Sequence, residues 1–330
     1  MTATNEANAT SAANEACDIH IVRRYDAPVQ AVWDAWTDPA QVAQWWGPRG
    51  HSITHHSKDL RTGGHWSYTM HGPDGAEWPT VTKYLEVEPL RKLVYDHGGN
   101  DDQPALFRVT VLFSEADGKT VMDMRMHLPN PEAAQRIRSI IKQANGNSTW
   151  DRLAEYLARE VDGAERFVIN RTFDAPLAVM FDMWSKPEHF CRWLAPTGFE
   201  MTFRRADIRS GGESFYSMSG FGITMYGRAH YEEVRSPDRL VYTQQFCDEH
   251  ENLSRHPMAP TWPATMRSIV ELSAEGPERT RVTVTWEVAG DATAEEMATF
   301  KEARAGMTQG WTGSFDKLES LLAERDNSGV

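Results

Sequence analysis

The 330 residues are 40% hydrophobic and 25% charged, which suits two globular domains of ordinary size. A formal net charge of −13 argues against nucleic acid and against an anionic membrane surface, and no apolar run approaches the ~18 residues needed to cross a bilayer. Three scattered cysteines (Cys17, Cys191 and Cys247) exclude a disulfide framework, and without a C-x-x-C pair they exclude a thiolate zinc site.

The first 17 residues are rich in Thr, Asn, Ala and Glu and read as a solvated tail, not a signal peptide, so a cytoplasmic location is expected. Ile19 to Tyr25 reads as a strand. Beyond Asp26-Ala27-Pro28, the positions Val29, Val32, Trp33 and Trp36 are helix-spaced, with proline at a tolerated first-turn position. A short second helix is predicted to end near Trp45-Trp46-Gly47-Pro48. Period-two strands follow: Trp66, Tyr68 and Met70; Phe107, Val109, Val111 and Phe113; Met122, Met124, Met126 and Leu128. Gly63-Gly64 and Pro73-Asp74-Gly75 supply turns. Asn130-Pro131-Glu132 opens a closing helix whose apolar phase shifts at Asn145-Gly146-Asn147, where a kink is expected.

The pattern then starts again. Phe173-Asp174-Ala175-Pro176 repeats Tyr25-Asp26-Ala27-Pro28 after 148 residues, and at that spacing Trp184, Trp193, Pro196 and Gly211-Gly212 match Trp36, Trp45, Pro48 and Gly63-Gly64. The second copy carries about 18 extra residues, mostly from Cys247 to Thr265, a segment with Met258, Trp262 and three prolines that suits a lid. It closes with Thr293-x-x-Glu296, a capping box, and an apolar stripe through Met297, Phe300, Met307, Trp311, Phe315, Leu318 and Leu322. The predicted division is a tail at 1–17, domains at 18–160 and 166–325 joined by a linker at 161–165, and a tail at 326–330. Each domain is expected to be α+β: a curved antiparallel sheet closed by a long C-terminal helix, with two short helices after the first strand.

Asp26-Ala27-Pro28, Val32 to Pro39 and Gln44-Trp45-Trp46-Gly47-Pro48 resemble the SRPBCC superfamily, which also holds the START lipid-transfer domains and the birch-pollen allergen fold. Gly63-Gly64-x-Trp66, His71-Gly72-Pro73-Asp74-Gly75 and Tyr84-Leu85-Glu86-Val87 resemble its AHSA-like branch, named after the activator of the heat-shock-protein ATPase. The resemblance spans about nine-tenths of the chain and implies two tandem helix-grip domains. Its members bind or transfer hydrophobic ligands or cyclise polyketides. The second copy departs from the branch: Trp193-Leu194-Ala195-Pro196 replaces Trp-Trp-Gly-Pro, and Glu213-Ser214 replaces His65-Trp66.

The candidate site is the space between sheet and long helix, lined by aromatic and methionine side chains that offer large, adaptable contact area. In the first copy the expected lining is Trp66, Tyr68, Met70, Tyr95, Phe107 and Met124, bordered by Trp46 and Trp150. In the second it is Phe203, Tyr216, Met218, Tyr226, Phe246, Trp286 and Trp311, with Trp262 on the lid. The competing reading is that these residues simply form the core. A dry void of roughly 300 Å³ would cost about 7 kcal/mol at ~24 cal/mol per Å³, comparable to the net stability of a domain. The space is therefore expected to be wet, ligand-filled, or collapsed by tryptophan in one copy.

Histidines crowd the first copy. His51 and His55 are assigned to one strand face, and His65 and His71 to an outward face; no metal-binding spacing appears, so no metal or other cofactor is expected. His55, Asp123, Arg125 and Tyr95 would supply acid–base groups if they lay inside the cavity; for Asp123 and Arg125 a strand-surface pair is the favoured reading. Three readings stand: a carrier or sensor of a small apolar molecule, a cyclase- or hydrolase-type enzyme acting on one, and a co-chaperone-like module binding a protein partner. A monomer with pseudo-dimeric domain packing is expected.

Overall fold

Strict alternation of apolar and polar residues turns each copy into a half-buried antiparallel sheet. The structure, a computed structural model, describes residues 16–98, 104–143, 148–160 and 165–328. It divides into two compact units, Met1–Asp162 and Gly163–Val330.

In the first unit β1 (Asp18–Tyr25) leads into α1 (Val29–Thr37) and α2 (Pro39–Trp45). A meander then runs through β2 (Ser52–Lys58), β3 (His65–His71), β4 (Glu77–Glu88), β5 (Lys92–His97), β6 (Phe107–Ala116) and β7 (Lys119–His127), followed by α3 (Pro131–Gln143) and α4 (Ser148–Glu160). The seven strands are ordered β1-β7-β6-β5-β4-β3-β2, with β1 closing antiparallel on β7. The second unit repeats this with β8 (Arg166–Phe173), α5 (Leu177–Ser185), α6 (Pro187–Trp193), β9 (Glu200–Ala206), β10 (Glu213–Gly220), β11 (Ile223–Arg235), β12 (Arg239–Cys247), β13 (Met266–Gly276), β14 (Arg279–Val288), α7 (Ala294–Glu302) and α8 (Arg304–Ser328). Its strand order, β8-β14-β13-β12-β11-β10-β9, matches the first. Both units are α+β helix-grip domains.

The inner face of each sheet and one face of the closing helix share a core. Met122 and Met124 of β7 pack with Leu153 and Leu157 of α4, and Val282 and Val284 of β14 pack with Phe315 and Leu318 of α8. The two copies also agree in polar detail. The Trp45 indole N–H donates to the Ala35 carbonyl at 2.9 Å, and Trp193 donates to Met183 at 3.0 Å. Thr120 and Thr280 hydroxyls donate to the Ala27 and Ala175 carbonyls. Each bond satisfies a group that burial would otherwise leave unpaired.

The capping box forms as expected, with the Thr293 side chain accepting from Glu296 N–H and the Glu296 carboxylate accepting from Thr293 N–H. The stripe that predicts one long closing helix in the second copy is, however, broken at Ala303, where ψ is −4°. Glu165 holds the break from outside, accepting from Lys301 Nζ at 3.0 Å and Arg304 Nη2 at 2.6 Å. Apolar spacing survives such a one-residue break, which is why it leaves no trace in the stripe. In the first copy, Asn145-Gly146-Asn147 lies outside the described residues; Asn130 caps α3 by accepting from Ala133 N–H at 2.8 Å.

Candidate functional site

Each unit holds a cavity between sheet and closing helix, and the two differ in size. The first measures about 140 Å³ and is walled by Trp46, Tyr68, Met70, Tyr95, Phe107, Met124 and Trp150 of the expected set, together with His97, Val109 and Met126. The second measures about 440 Å³. Tyr216, Met218, Tyr226, Phe246, Trp262, Trp286 and Trp311 border it as expected; Tyr242, Gln244, His256, Met266 and Met307 are further walls.

Of two substitutions that break the repeat here, one falls on the cavity wall. In the first unit Trp46 and Trp66 meet edge to face at 5.2 Å, and the Trp46 N–H donates to the Tyr68 hydroxyl at 3.0 Å. Trp150 stacks on Trp36 at 5.1 Å and fills the space beneath. In the second unit Leu194 stands in place of Trp46 and Ser214 in place of Trp66. Ser214 turns to the Tyr231 hydroxyl at 3.3 Å and does not wall the cavity, whereas Leu194 does, where the larger Trp46 walls the first. Trp311 stacks on Trp184 at 6.0 Å in the manner of Trp150 on Trp36, keeping one wall aromatic.

Three expected residues lie away from the cavities. Trp66 is fully buried between Tyr68 and Lys58, whose ammonium sits 4.2 Å above the indole. Phe203 stacks on Phe190 at 6.1 Å, packed against the core. His55 faces inward from β2 with its Nε2 buried and unpartnered among the described residues. Alternation fixes the face a side chain takes, but not its depth along the strand. Tyr226 borders the second cavity while its ring stacks on Phe215 at 6.1 Å, under the Arg204 guanidinium.

The acid–base candidates separate. Asp123 lies on the outer face, 2.9 Å from His20 and 3.9 Å from Arg125, so of the proposed acid–base groups only Tyr95 reaches a cavity. His51 precedes β2 instead of sharing its face with His55, and stacks on Trp78 at 5.9 Å. His65 and His71 bond outward to Ser57 and Thr54. Among the described residues no three His, Cys, Asp or Glu side chains gather where a metal ion could be held.

The family model for "Activator of Hsp90 ATPase homolog 1-like protein" matches residues 26–158 and again 174–323. The chain belongs to this family. It carries the family domain twice. A comparison with curated proteins gives no match. Solved structures it is similar to include a protein from Nitrosomonas europaea at 23% identity, covering 44% of this chain and 96% of that one with a TM-score of 0.41. A protein from Arthrobacter aurescens is 25% identical, covering 49% and 88% with a TM-score of 0.42. The di-domain ARO/CYC protein BexL from the BE-7585A biosynthetic pathway covers 92% of this chain and 97% of its own at 12% identity, with a TM-score of 0.39. Among the described residues no helix is long and apolar enough to cross a membrane.

Within each family domain a cation on the closing helix holds the loop that rims the cavity. Arg152 donates to the carbonyls of Gln44, Trp46, Gly47, Pro48 and His51. Lys317, the corresponding residue, donates to those of Ala195, Pro196 and Phe199, while the Ser314 hydroxyl donates to Leu194. Neither cation has a signal in an apolar pattern, and the sequence reading passes over both.

His97, one of the crowded histidines of the first copy, is a wall residue that the sequence reading does not assign to the cavity. It stacks on Phe107 at 4.7 Å in the first cavity, and burial pushes its pKa down to about 4. The folded domain therefore keeps the ring neutral, whereas an unfolded histidine takes a proton near pH 6.5. Above that pH the residue costs nothing. As the pH falls from about 6.5 to 4, the first domain should lose on the order of 3 kcal/mol to this group. Thermal melts of His97→Gln against the parent at pH 7.5 and 4.5 test it: the variant should be relatively more stable at the lower pH, and an equal difference at both would contradict it.

Proposed function

We propose that the chain binds a small apolar molecule in its second cavity, with the first domain as a companion whose own cavity is largely filled by tryptophan. The supporting observation is a space of about 440 Å³ walled by aromatic rings and methionines without an Asp, Glu, Lys or Arg among them. That volume falls in the range of small-molecule sites. Left dry and empty it would cost on the order of 10 kcal/mol, comparable to the entire stability of a domain. An apolar occupant relieves that cost, and water would gain few polar partners there. A carrier or sensor role suits these walls better than acid–base catalysis, because no Asp, Glu, Lys or Arg lines them and the Nδ1 of the one imidazole, His256, is occupied by the Met258 N–H. Titration with N-phenyl-1-naphthylamine, an uncharged fluorophore, tests the reading: one saturable site per chain supports it, and the absence of any saturable signal contradicts it.

The segment from 248 to 265, between β12 and β13, is placed to act as the lid. His256 and Trp262 wall the cavity, and Trp262 packs on Phe300 of α7 at 5.9 Å. Arg255 pairs with Glu296, and Thr299 donates to Thr261 at 2.8 Å, so two polar ties join this segment to α7. Cutting a tie should open the lid more often. Arg255→Leu is expected to raise the association and dissociation rates of the fluorophore together, by roughly threefold or more for a lost interaction of about 1 kcal/mol. Unchanged exchange in stopped flow would count against the lid.

A further inference from the structure

We propose that the ligand of the second cavity is an uncharged, oxygen-bearing apolar molecule whose polar end is held by the Gln244 amide and the Tyr216 hydroxyl. This rests on the cavity reading above and adds the ligand's chemistry to it. The lining sets the charge. A carboxylate or ammonium entering this space would lose its hydration and meet no opposite charge, a loss that close packing does not offset. Burial also holds the His256 imidazole below its usual range, so it offers no cation near neutral pH.

Besides the indole N–H groups of Trp286 and Trp311, which only donate and have no partner among the described residues, two wall side chains that both donate and accept are left over. Gln244 lies in β12 opposite Ala229 and Met266, both buried, so it shares their inward face. Among the described residues neither its amide nor the Tyr216 hydroxyl has a hydrogen-bond partner, whereas Ser314 and Gln245 on the same walls are both bonded. Both residues are half-buried and open to the cavity, so these two groups take their partners from water or from an occupant.

The first domain explains why the tyrosine is free. There the equivalent Tyr68 hydroxyl accepts from the Trp46 indole; Leu194 stands at that place in the second domain and has nothing to donate. Tyr216 is nonetheless held in position. Its ring lies so close over Gly227 that a Cβ there would fall 2.5 Å from both Cζ and Oη. Gln244 in turn occupies the place of His97, so each cavity carries one neutral polar side chain at the same point of the sheet. An amide and a phenol both donate and accept, a combination met by a carbonyl or hydroxyl oxygen.

Pyrene, 1-hydroxypyrene and 1-pyrenecarboxylate share one fluorescent skeleton and separate the possibilities. The parent chain should bind 1-hydroxypyrene roughly 3–10-fold tighter than pyrene, as one net hydrogen bond provides, and the carboxylate at least about tenfold more weakly than the alcohol. In Gln244→Leu and in Tyr216→Phe the ratio of hydroxypyrene to pyrene affinity should fall about threefold or more. If Gln244→Leu does not fold, Gln244→Met, close in shape, takes its place. Equal affinity for pyrene and hydroxypyrene, an unchanged ratio in both variants, or a carboxylate bound as tightly as the alcohol would overturn the proposal while leaving the cavity reading in place. If none of the three binds, the cavity reading fails and this proposal goes with it.

Discussion

Replacing Gly310 with leucine is expected to raise the melting temperature of the second domain by roughly 2–4 °C and to weaken binding of N-phenyl-1-naphthylamine at least about tenfold. Gly310 lies inside α8 and on the cavity wall, and a Cβ added there meets nothing within 4 Å. Glycine in a helix interior costs about 1 kcal/mol against a good helix former, so leucine stabilises the helix before any new contact is counted. The added isobutyl group extends from the wall into space the ligand needs. Stability and binding therefore move in opposite directions, which general damage to the fold cannot produce. Gly306, one turn earlier on the same wall and equally open, should behave alike. Unaltered fluorophore affinity in Gly310→Leu would place the ligand outside this cavity, and a lowered melting temperature would mean that the site was already filled.

Removing the guanidinium of Arg152 is expected to have the largest effect on stability. It serves carbonyls of five residues in the segment from Gln44 to His51, and burial pushes its pKa down to about 10, still charged at neutral pH. Arg152→Leu leaves those carbonyls with fewer donors and frees the loop that carries Trp46. The cost should be on the order of 3 kcal/mol, or roughly 10 °C in the melting of the first domain. Lys317→Leu should act on the second domain in the same direction but more weakly, since its ammonium reaches three carbonyls. Calorimetry that resolves the two domains checks both; a shift under about 2 °C in Arg152→Leu would mean that the clasp is incidental.

The fold was legible because large landmarks recur in order. Trp36 and Trp45 return as Trp184 and Trp193, and their indoles keep the same structural roles in both copies. Period-two runs placed the inner faces of β3, β6 and β7, and with them most of the cavity walls. What alternation leaves out is depth: Trp66, Phe203 and His55 face inward but lie away from the cavities. Long polar side chains were harder still. Arg152, Lys317, Lys58 and His97 act through contacts made across the sequence, for which no local pattern exists. Burial takes the pKa of Lys58 down to about 7, its ammonium held by the Trp36 carbonyl at 2.9 Å, and nothing in Ser57-Lys58-Asp59 announces it. The unequal cavities, by contrast, were within reach: Leu194 breaks the repeat where Trp46 walls the first cavity.

The most direct test of the central claim is native mass spectrometry of the purified chain, with organic extraction of whatever it retains. The account predicts one small apolar, uncharged molecule per chain, lost when Gly310→Leu occupies its space. A chain that carries nothing and also fails to bind N-phenyl-1-naphthylamine would contradict it.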